Sequence, residues 1–279
     1  MSCQRKSVRK MERFIMHPME LMIFLFTIYS FLGWLCESIF CSFLFKKWTN
    51  RGFLNGPFCP VYGIGGLLIT SLLKPFTGYP FYIEIPLVFV AGVILTTTLE
   101  YITGWILETL FHTTWWDYSQ NRFNYKGRIC LLNSLLFGVL CLVTMLVLHP
   151  FLLHLLHLIP WFLRPWIVCT IVLYFLTDTL ITLHSILSLN GKLQQLQQVL
   201  DEIRESGTPL RTAHAAISGY LTDSPAMQSV RERLARLEKI SPVQRRLLRA
   251  FPTMKSLRNG EPLQWLQQAW EKRRGKRKP

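Results

Sequence analysis

Long apolar runs, separated by short polar stretches, dominate the first two thirds of the chain. Four runs are long enough to cross a bilayer, because a hydrocarbon core of about 30 Å needs about 20 helical residues. We expect spanning helices at residues 21–45, 85–111, 129–148 and 166–189. The pattern therefore predicts an all-α fold, that of a polytopic helical membrane protein.

Two further apolar runs are shorter. Residues 58–73 contain Pro60 and three glycines, so this run is either a fifth spanning helix with an irregular start or a re-entrant segment. We therefore expect about five transmembrane helices, with these two alternatives for one of them. Residues 151–162 follow Pro150, contain Pro160 and are too short to span alone, so we expect a lumen-side or interfacial extension.

After residue 190 the apolar positions recur with helical spacing. Steps of three and four residues connect Ile186, Leu189, Leu193, Leu196, Leu200 and Ile203. This heptad seam predicts that the last spanning helix continues into the tail, and residues 186–203 are a candidate interface for a homo-oligomer. Further helices are expected to begin at Asp223 and Pro242, and residues 262–272 form a last amphipathic piece.

Composition and charge agree with a membrane location. Half of the residues are hydrophobic and 17% are charged, whereas soluble domains carry about 25% charged residues. The net charge is +15; residues 1–190 hold 13 basic and 8 acidic side chains, and residues 191–279 hold 18 and 8. Because the basic excess accompanies an apolar body, the expected partners are membrane lipids, and no nucleic acid is expected.

These features divide the chain into a basic N-terminal segment (1–18), a transmembrane helical domain (19–190) and a basic helical tail (191–279). Five spans place the two ends on opposite sides, and four spans place both ends inside the cell. The positive-inside rule is almost balanced near the spans, but the long basic tail favours a cytoplasmic C-terminus. We expect a multi-pass protein of the cytoplasmic membrane.

Four carboxylates lie inside the apolar spans: Glu37, Glu100, Glu108 and Asp178. A charge at the bilayer centre costs about 2.5–3.5 kcal/mol on insertion scales, so such side chains face a bundle interior or a water-filled path. We take them as candidate transport-path residues. The alternative is that they pair with nearby basic or hydroxyl groups and only hold the bundle together.

Two polar stretches, residues 50–60 and 112–128, lie beside the spans and are rich in glycine, proline and aromatic residues. Aromatic side chains prefer the headgroup level, so an interfacial anchor explains many of them. An interfacial anchor explains less well the polar side chains at the ends of the spans. These side chains could pair with the span carboxylates or hold a substrate headgroup. The candidates for this interfacial motif are Arg51, Asn55, Asp117, Arg128 and Asn133.

Catalytic and cofactor motifs were also considered. The sequence contains no GxxxxGK[ST], HExxH, GxSxG or GxGxxG pattern. The spacing of His149, His154 and His157 is unsuited to one set of helical metal ligands. We therefore expect no metal, no cofactor and no catalytic residue, and any ATP hydrolysis has to come from a separate subunit.

Several stretches of the sequence resemble those of a known family. Residues 31–37 (FLGWLCE), 50–57 (NRGFLNGP), 115–119 (WWDYS) and 127–133 (GRICLLN) resemble the bacterial family labelled putative ABC-transporter type IV, or CmpB, and residues 246–252 (RLLRAFP) also resemble its members. The resemblance covers residues from about 20 to 260. It implies a permease subunit that works with a separate ATP-binding subunit.

Three functions fit the sequence. The first is a permease subunit of an ABC-type transporter, with its path lined by the four span carboxylates. The second is a non-catalytic sensor or assembly protein that acts through the heptad seam. The third is a membrane enzyme acting on lipid, with Glu108, Asp117 and Arg128 in acid–base roles.

Overall fold

The computed structural model describes residues 16–44, 46, 48–205, 232–234, 236–237, 239–258, 260–264 and 266. Most of the described chain is helical, and its strands are four of two residues each, which confirms the all-α prediction. The helices are α1 (Pro18–Leu44), α2 (Pro60–Leu72), α3 (Phe81–Phe111), α4 (Leu131–Val143), α5 (His149–His157), α6 (Arg164–Glu205) and α7 (Pro242–Ala250). The strands are β1 (Thr113–Thr114), β2 (Asn124–Tyr125), β3 (Ile129–Cys130) and β4 (Lys255–Ser256).

Four helical stretches are long and apolar enough to cross a membrane, as the apolar runs predict. They are Pro18–Phe43, Phe81–Phe111, Leu131–His157 and Arg164–Glu202. The third joins α4 to α5 through a π-helical turn, Thr144–Leu148, that precedes Pro150. Residues 151–157 therefore complete this spanning stretch instead of forming a separate interfacial extension, because the wider turn lets a proline enter without ending the helix.

The chain divides into two compact units. The first comprises Met1–Trp105 and Asp117–Ile181, and the second comprises Ile106–Trp116 and Thr182–Pro279. The first unit contains α1, α2, α4, α5 and most of α3, together with the part of α6 up to Ile181.

In the first unit, α2 corresponds to the short apolar run for which the sequence left two alternatives, a fifth spanning helix or a re-entrant segment. Its 13 residues give a length of about 20 Å at 1.5 Å per residue, which is less than a hydrocarbon core. It packs antiparallel to α1 through small residues: a Cβ added at Gly33 would meet the Tyr62 side chain, and one added at Gly66 would meet that of Tyr29.

The segment between α1 and α2 runs back along α1 before α2 begins. The backbone N–H of Thr49 donates to Ser42 Oγ (2.9 Å), that of Arg51 to Ser38 Oγ (3.2 Å), and that of Cys59 to the Ser30 carbonyl (3.0 Å). The chain continues towards the start of α1 in α2, where Leu67 packs on the buried cluster that contains Phe24 and Leu25. Extended chain and short helix together follow α1 for about 25 Å, a distance close to the hydrocarbon thickness.

We call residues 48–72 the broken return segment. The later helices continue the alternation of direction. Val88 near the start of α3 packs on Leu73 just after α2, and also on Cys141 in α4. Near the start of α6, Ile167 and its neighbours pack on the cluster around the first half of α1. Within the first unit, the chain thus makes five passages in alternating directions, one of them by the broken return segment.

The second unit is built around the heptad positions of α6. Ile186, Leu189, Leu193, Leu196 and Leu200 are all at most 4% exposed. The seam therefore packs inside one chain, and its use as a homo-oligomer interface stays a prediction. Gln244 of α7 is buried too; its side chain donates to the Ser185 carbonyl and accepts from the Ser241 N–H.

Elements from both parts of the second unit's sequence meet at a small antiparallel sheet. Strand β1 pairs with β4, with Thr113 opposite Ser256, and the Leu257 N–H donates to the His112 carbonyl. Trp115 is 3% exposed and packs edge-on against Phe251. The helix predicted to open at Pro242 is observed as α7. Of the helix predicted from Asp223, residues 232–234 and 236–237 are described and helical, with Leu234 and Leu237 buried, whereas its start and the basic run 272–278 lie outside the described residues.

Candidate functional site

A buried ion pair lies in the first unit between α1 and the broken return segment. Arg51 Nη2 is 3.3 Å from Glu37 Oε1, and the side chains are only 12% and 25% exposed. The other carboxylate oxygen, Glu37 Oε2, accepts a hydrogen bond of 2.7 Å from the Tyr62 hydroxyl. Cys41, one turn along α1, directs its thiol to Glu37 Oε1 at 3.7 Å. The carboxylate is thus held by one cation and two neutral donors.

The fold of the loop before α2 places Arg51 at this position. The Trp34 indole N–H donates to Asn50 Oδ1 (2.8 Å), and the Gly52 N–H donates to the same oxygen (2.9 Å). Asn50 therefore ties the loop to α1 and closes a tight turn around Arg51. The Arg51 backbone is fixed to Ser38 of α1 as well, so both ends of the ion pair rest on the same helix.

A second polar chain connects α3, the loop after it and α4. The Tyr118 hydroxyl is hydrogen-bonded to the Glu100 carboxyl and to the Asn133 side chain. Burial, followed by the negative charges of Glu100 and Glu37, raises the pKa of Tyr118 well above its ordinary value. The phenol consequently stays protonated and donates to Glu100, while the Asn133 amide donates to the phenol oxygen.

The two chains form one polar cluster, because Glu37 acts electrostatically on both Glu100 and Tyr118. We call Glu37, Arg51, Tyr62, Glu100, Tyr118 and Asn133 the intramembrane polar cluster. Two oxygens beside it are buried without a hydrogen-bond partner among the described residues, Glu100 Oε2 and Thr97 Oγ1, one turn apart on α3. Unsatisfied buried oxygens are rare in folded proteins and are places where water, an ion or a substrate group can bind.

Asp178 forms a separate clasp on the broken return segment. Its two oxygens accept the backbone N–H groups of Asn55 and Gly56, each at 2.8 Å. The Tyr174 hydroxyl, one turn earlier on α6, donates to Asp178 Oδ2 at 3.4 Å. Asp178 is 6% exposed, so these charge-assisted bonds are sheltered from water. The clasp fixes the loop that carries Arg51 to α6.

The remaining predicted residues have other surroundings. Arg128 donates to the Tyr101 hydroxyl (3.2 Å) and lies 5.3 Å from the centre of that ring. Asp117 accepts the Ser119 N–H (2.9 Å) and closes a turn of its own loop. Glu108 belongs to the second unit.

Of the nine residues predicted as polar candidates, the structure thus brings four into the cluster: Glu37, Arg51, Glu100 and Asn133. Asp178 and Asn55 meet in the clasp, where Asn55 contributes its backbone and not its side chain. Sequence reasoning missed Tyr62 and Tyr118. Tyr62 closely follows the first polar stretch and Tyr118 lies within the second, and a hydroxyl beside a predicted intramembrane carboxylate was the signal that could have identified them.

The cluster can accept, hold or pass on a polar group within apolar surroundings. It offers one compensated carboxylate (Glu37), one carboxyl with an unsatisfied oxygen (Glu100), and a phenol between the Glu100 carboxyl and the Asn133 amide. Groups of this kind inside a membrane bundle mark substrate or ion pathways. Discontinuous passages, such as the broken return segment, are the usual scaffold of these sites in transporters.

Comparison with known proteins agrees with this architecture. A search of curated proteins and a search of solved structures each found no match. A family profile described as putative ABC-transporter type IV matches residues 24–183, which is more than half of the chain and contains every residue of the intramembrane polar cluster and of the clasp. The chain therefore belongs to the family of putative ABC-transporter type IV membrane proteins.

Proposed function

We propose that the chain is the permease subunit of an ABC-type transporter and that a separate ATPase energises it. The observation that carries this proposal is the intramembrane polar cluster on the broken return segment. A bundle that needed only stability would gain little from burying an ion pair, since replacing such a pair by apolar residues is often neutral or stabilising. Two unsatisfied oxygens at Glu100 and Thr97 add a cost that binding a transported group would offset.

A partner ATPase is part of the proposal for two reasons. The family description names an ABC transporter, and the sequence lacks a phosphate-binding loop. The sensor alternative acts through the heptad seam, and the structure shows only that Leu193 and Leu196 of that seam are buried within one chain. The transport path would run past Glu37 and Glu100, with Asp178 holding the loop in position.

The proposed orientation places the ends of α1 and α3 in the cytoplasm. Near the spans of the first unit the positive-inside rule is almost balanced, because five basic residues of the N-terminal segment, with Lys74 and Arg164, offset Lys46, Arg51, Arg122, Lys126 and Arg128. The orientation is therefore proposed from the long basic tail, which favours a cytoplasmic C-terminus in a protein of the cytoplasmic membrane. An ATPase on that side would have access to the tail and to residues 112–128.

The experiment is a purification of the tagged, full-length chain from crosslinked native membranes. A protein with a nucleotide-binding motif should copurify in stoichiometric amounts, and the complex should hydrolyse ATP after reconstitution in lipid. Glu37→Gln and Glu100→Gln should lower that coupled rate several-fold. The matched control is Glu84→Gln, the same change at a half-buried position in the first turn of α3, outside the cluster; it should leave the rate unchanged.

The proposal fails if repeated preparations contain no nucleotide-binding protein while an established ABC permease, handled in parallel, keeps its ATPase. It also fails as a description of the path if the cluster variants and Glu84→Gln behave alike in the intact complex.

A further inference from the structure

An exposed hairpin follows α3 in the first unit and directly precedes α4. Strand β2 pairs with β3, with Tyr125 opposite Ile129, and three residues close the turn. We call residues 122–128 the Phe123 hairpin. At its start, Phe123 is 78% exposed and has a φ of 53°. A bulky residue in this left-handed region is a genuine outlier, and such strain persists only where the surrounding structure enforces it.

The surroundings of Phe123 show what enforces the strain. Its carbonyl accepts a hydrogen bond of 3.2 Å from the N–H of Leu131, the first residue of α4. Leu131 and Leu132 are 48% and 63% exposed, and they begin the apolar outer face of a stretch long enough to span a membrane. Phe123 is therefore held at the level where this lipid-facing surface starts, with its ring directed away from the protein core.

The same hairpin carries two exposed basic side chains. Arg122 and Lys126 are exposed, and Lys126 Nζ lies 5.6 Å from the centre of the exposed Tyr125 ring. Lys126 also has a positive φ of 52°. The nearby acidic side chain, Asp117, accepts the Ser119 N–H and lies against the turn at Gly127. The exposed part of the hairpin thus combines two aromatic rings with two cations.

We propose that the Phe123 hairpin is a binding site for anionic phospholipid headgroups in the membrane that holds the protein. Phe123 inserts at the boundary between headgroups and acyl chains, and Arg122 and Lys126 pair with lipid phosphates. The choice of lipid as the occupant rests on the continuity of the hairpin with the exposed leucines of α4 and on the complementarity of charge. Aromatic rings favour this interfacial level, and each cation near an anionic surface strengthens binding about fivefold. The proposal is independent of the transport function.

The test uses the purified full-length protein in vesicles of phosphatidylcholine and phosphatidylglycerol in a four-to-one ratio. Spin-labelled phosphatidylglycerol reports the selectivity of the protein for the anionic lipid over spin-labelled phosphatidylcholine. The double variant Arg122→Gln/Lys126→Gln should lose selectivity several-fold. The control Lys74→Gln removes an exposed cation at the opposite end of the first unit and should keep it. Equal selectivity in the wild type and the double variant overturns the proposal.

A second readout places the ring itself. In Phe123→Trp, the added fluorescence should be quenched by brominated phosphatidylcholine more strongly than by acrylamide in the water phase. Quenching by acrylamide and not by brominated lipid would mean that the hairpin faces water, where a protein partner could cover it, and would also overturn the proposal. The thermal unfolding of each variant is measured alongside, and an unchanged midpoint establishes that the fold is intact.

Discussion

The Asp178 carboxylate holds the backbone of Gly56 across 122 residues of sequence, with Oδ2 accepting the Gly56 N–H at 2.8 Å. Oδ1 accepts the adjacent Asn55 N–H in the same way. A loop segment that lies beside spanning helices cannot rely on water for its N–H groups, so these bonds replace hydration. The acidic residue that the sequence marks as a transport candidate is thus also the anchor of the loop that presents Arg51.

The clasp predicts a stability loss for Asp178→Asn. An amide can offer one oxygen only, and its NH2 group would face a backbone N–H. Each charge-assisted bond is worth about 1.5–3 kcal/mol, so the variant should lose roughly 2 kcal/mol of unfolding free energy, measured as a lower thermal midpoint in detergent. The control is Asp201→Asn on the same helix, where the Gln197 amide can still donate to the new side chain; its effect should stay within about 0.5 kcal/mol. Equal effects of the two substitutions would contradict the clasp.

The space around two glycines, Gly33 in α1 and Gly191 in α6, predicts opposite effects when each is replaced by alanine. An added Cβ at Gly33 would lie 2.2 Å from Cβ and Cγ of Tyr62, atoms near the backbone that cannot turn aside. Gly33→Ala should therefore separate the helices and cost about 1–3 kcal/mol. At Gly191 an added Cβ meets nothing within 4 Å, so Gly191→Ala should gain about 0.5–1 kcal/mol by restricting the unfolded chain. Thermal unfolding of both variants in the same detergent checks the sign of each change.

The spanning helices could be predicted because a single local property, about 20 consecutive apolar residues, fixes them. The continuation of the last span into the tail was also visible, since Leu193 and Leu196 repeat with helical spacing. The same repeat does not identify the partner that covers it. A seam records only that its residues are buried, and the chain's own second unit buries Leu193 and Leu196 to at most 2% exposure.

The broken return segment could not be derived from local patterns. Whether residues 58–73 cross alone, turn back or complete a passage depends on contacts such as the Cys59 N–H with the Ser30 carbonyl, which no periodicity encodes. Only the carboxylates of the site could be predicted, for a related reason. Carboxylates in apolar runs are conspicuous, whereas Tyr62 and Tyr118 are ordinary residues at an interface until the fold brings their hydroxyls to Glu37 and Glu100.

The cap of α7 predicts a local effect in the second unit. Ser241 Oγ accepts the Gln244 N–H, and the Gln244 side chain accepts the Ser241 N–H in return. Ser241→Ala removes half of this capping box and should cost about 1 kcal/mol. Hydrogen exchange of residues 242–250 should become faster, whereas Ser241→Thr, which keeps the hydroxyl, should exchange almost as the wild type does. Faster exchange in both variants would mean that packing of the serine, and not its hydrogen bond, stabilises the helix.

The buried phenol of Tyr118 predicts how the protein responds to alkali. Burial and the charges of Glu100 and Glu37 raise the pKa of Tyr118 above its ordinary value, which is about 10 for an exposed tyrosine. A group whose pKa is raised on folding contributes its full stability below the unfolded value and loses it as pH rises towards the folded value. Stability should therefore fall above about pH 10, and Tyr118→Phe should lessen that fall because it has no proton to lose. Ultraviolet titration at the phenolate band gives the direct measurement. When the curve of Tyr118→Phe is subtracted from that of the wild type, the difference should show no phenol ionisation near pH 10, where an exposed tyrosine ionises. A normal titration in that difference would show that the phenol is open to water and is not the protonated donor to Glu100.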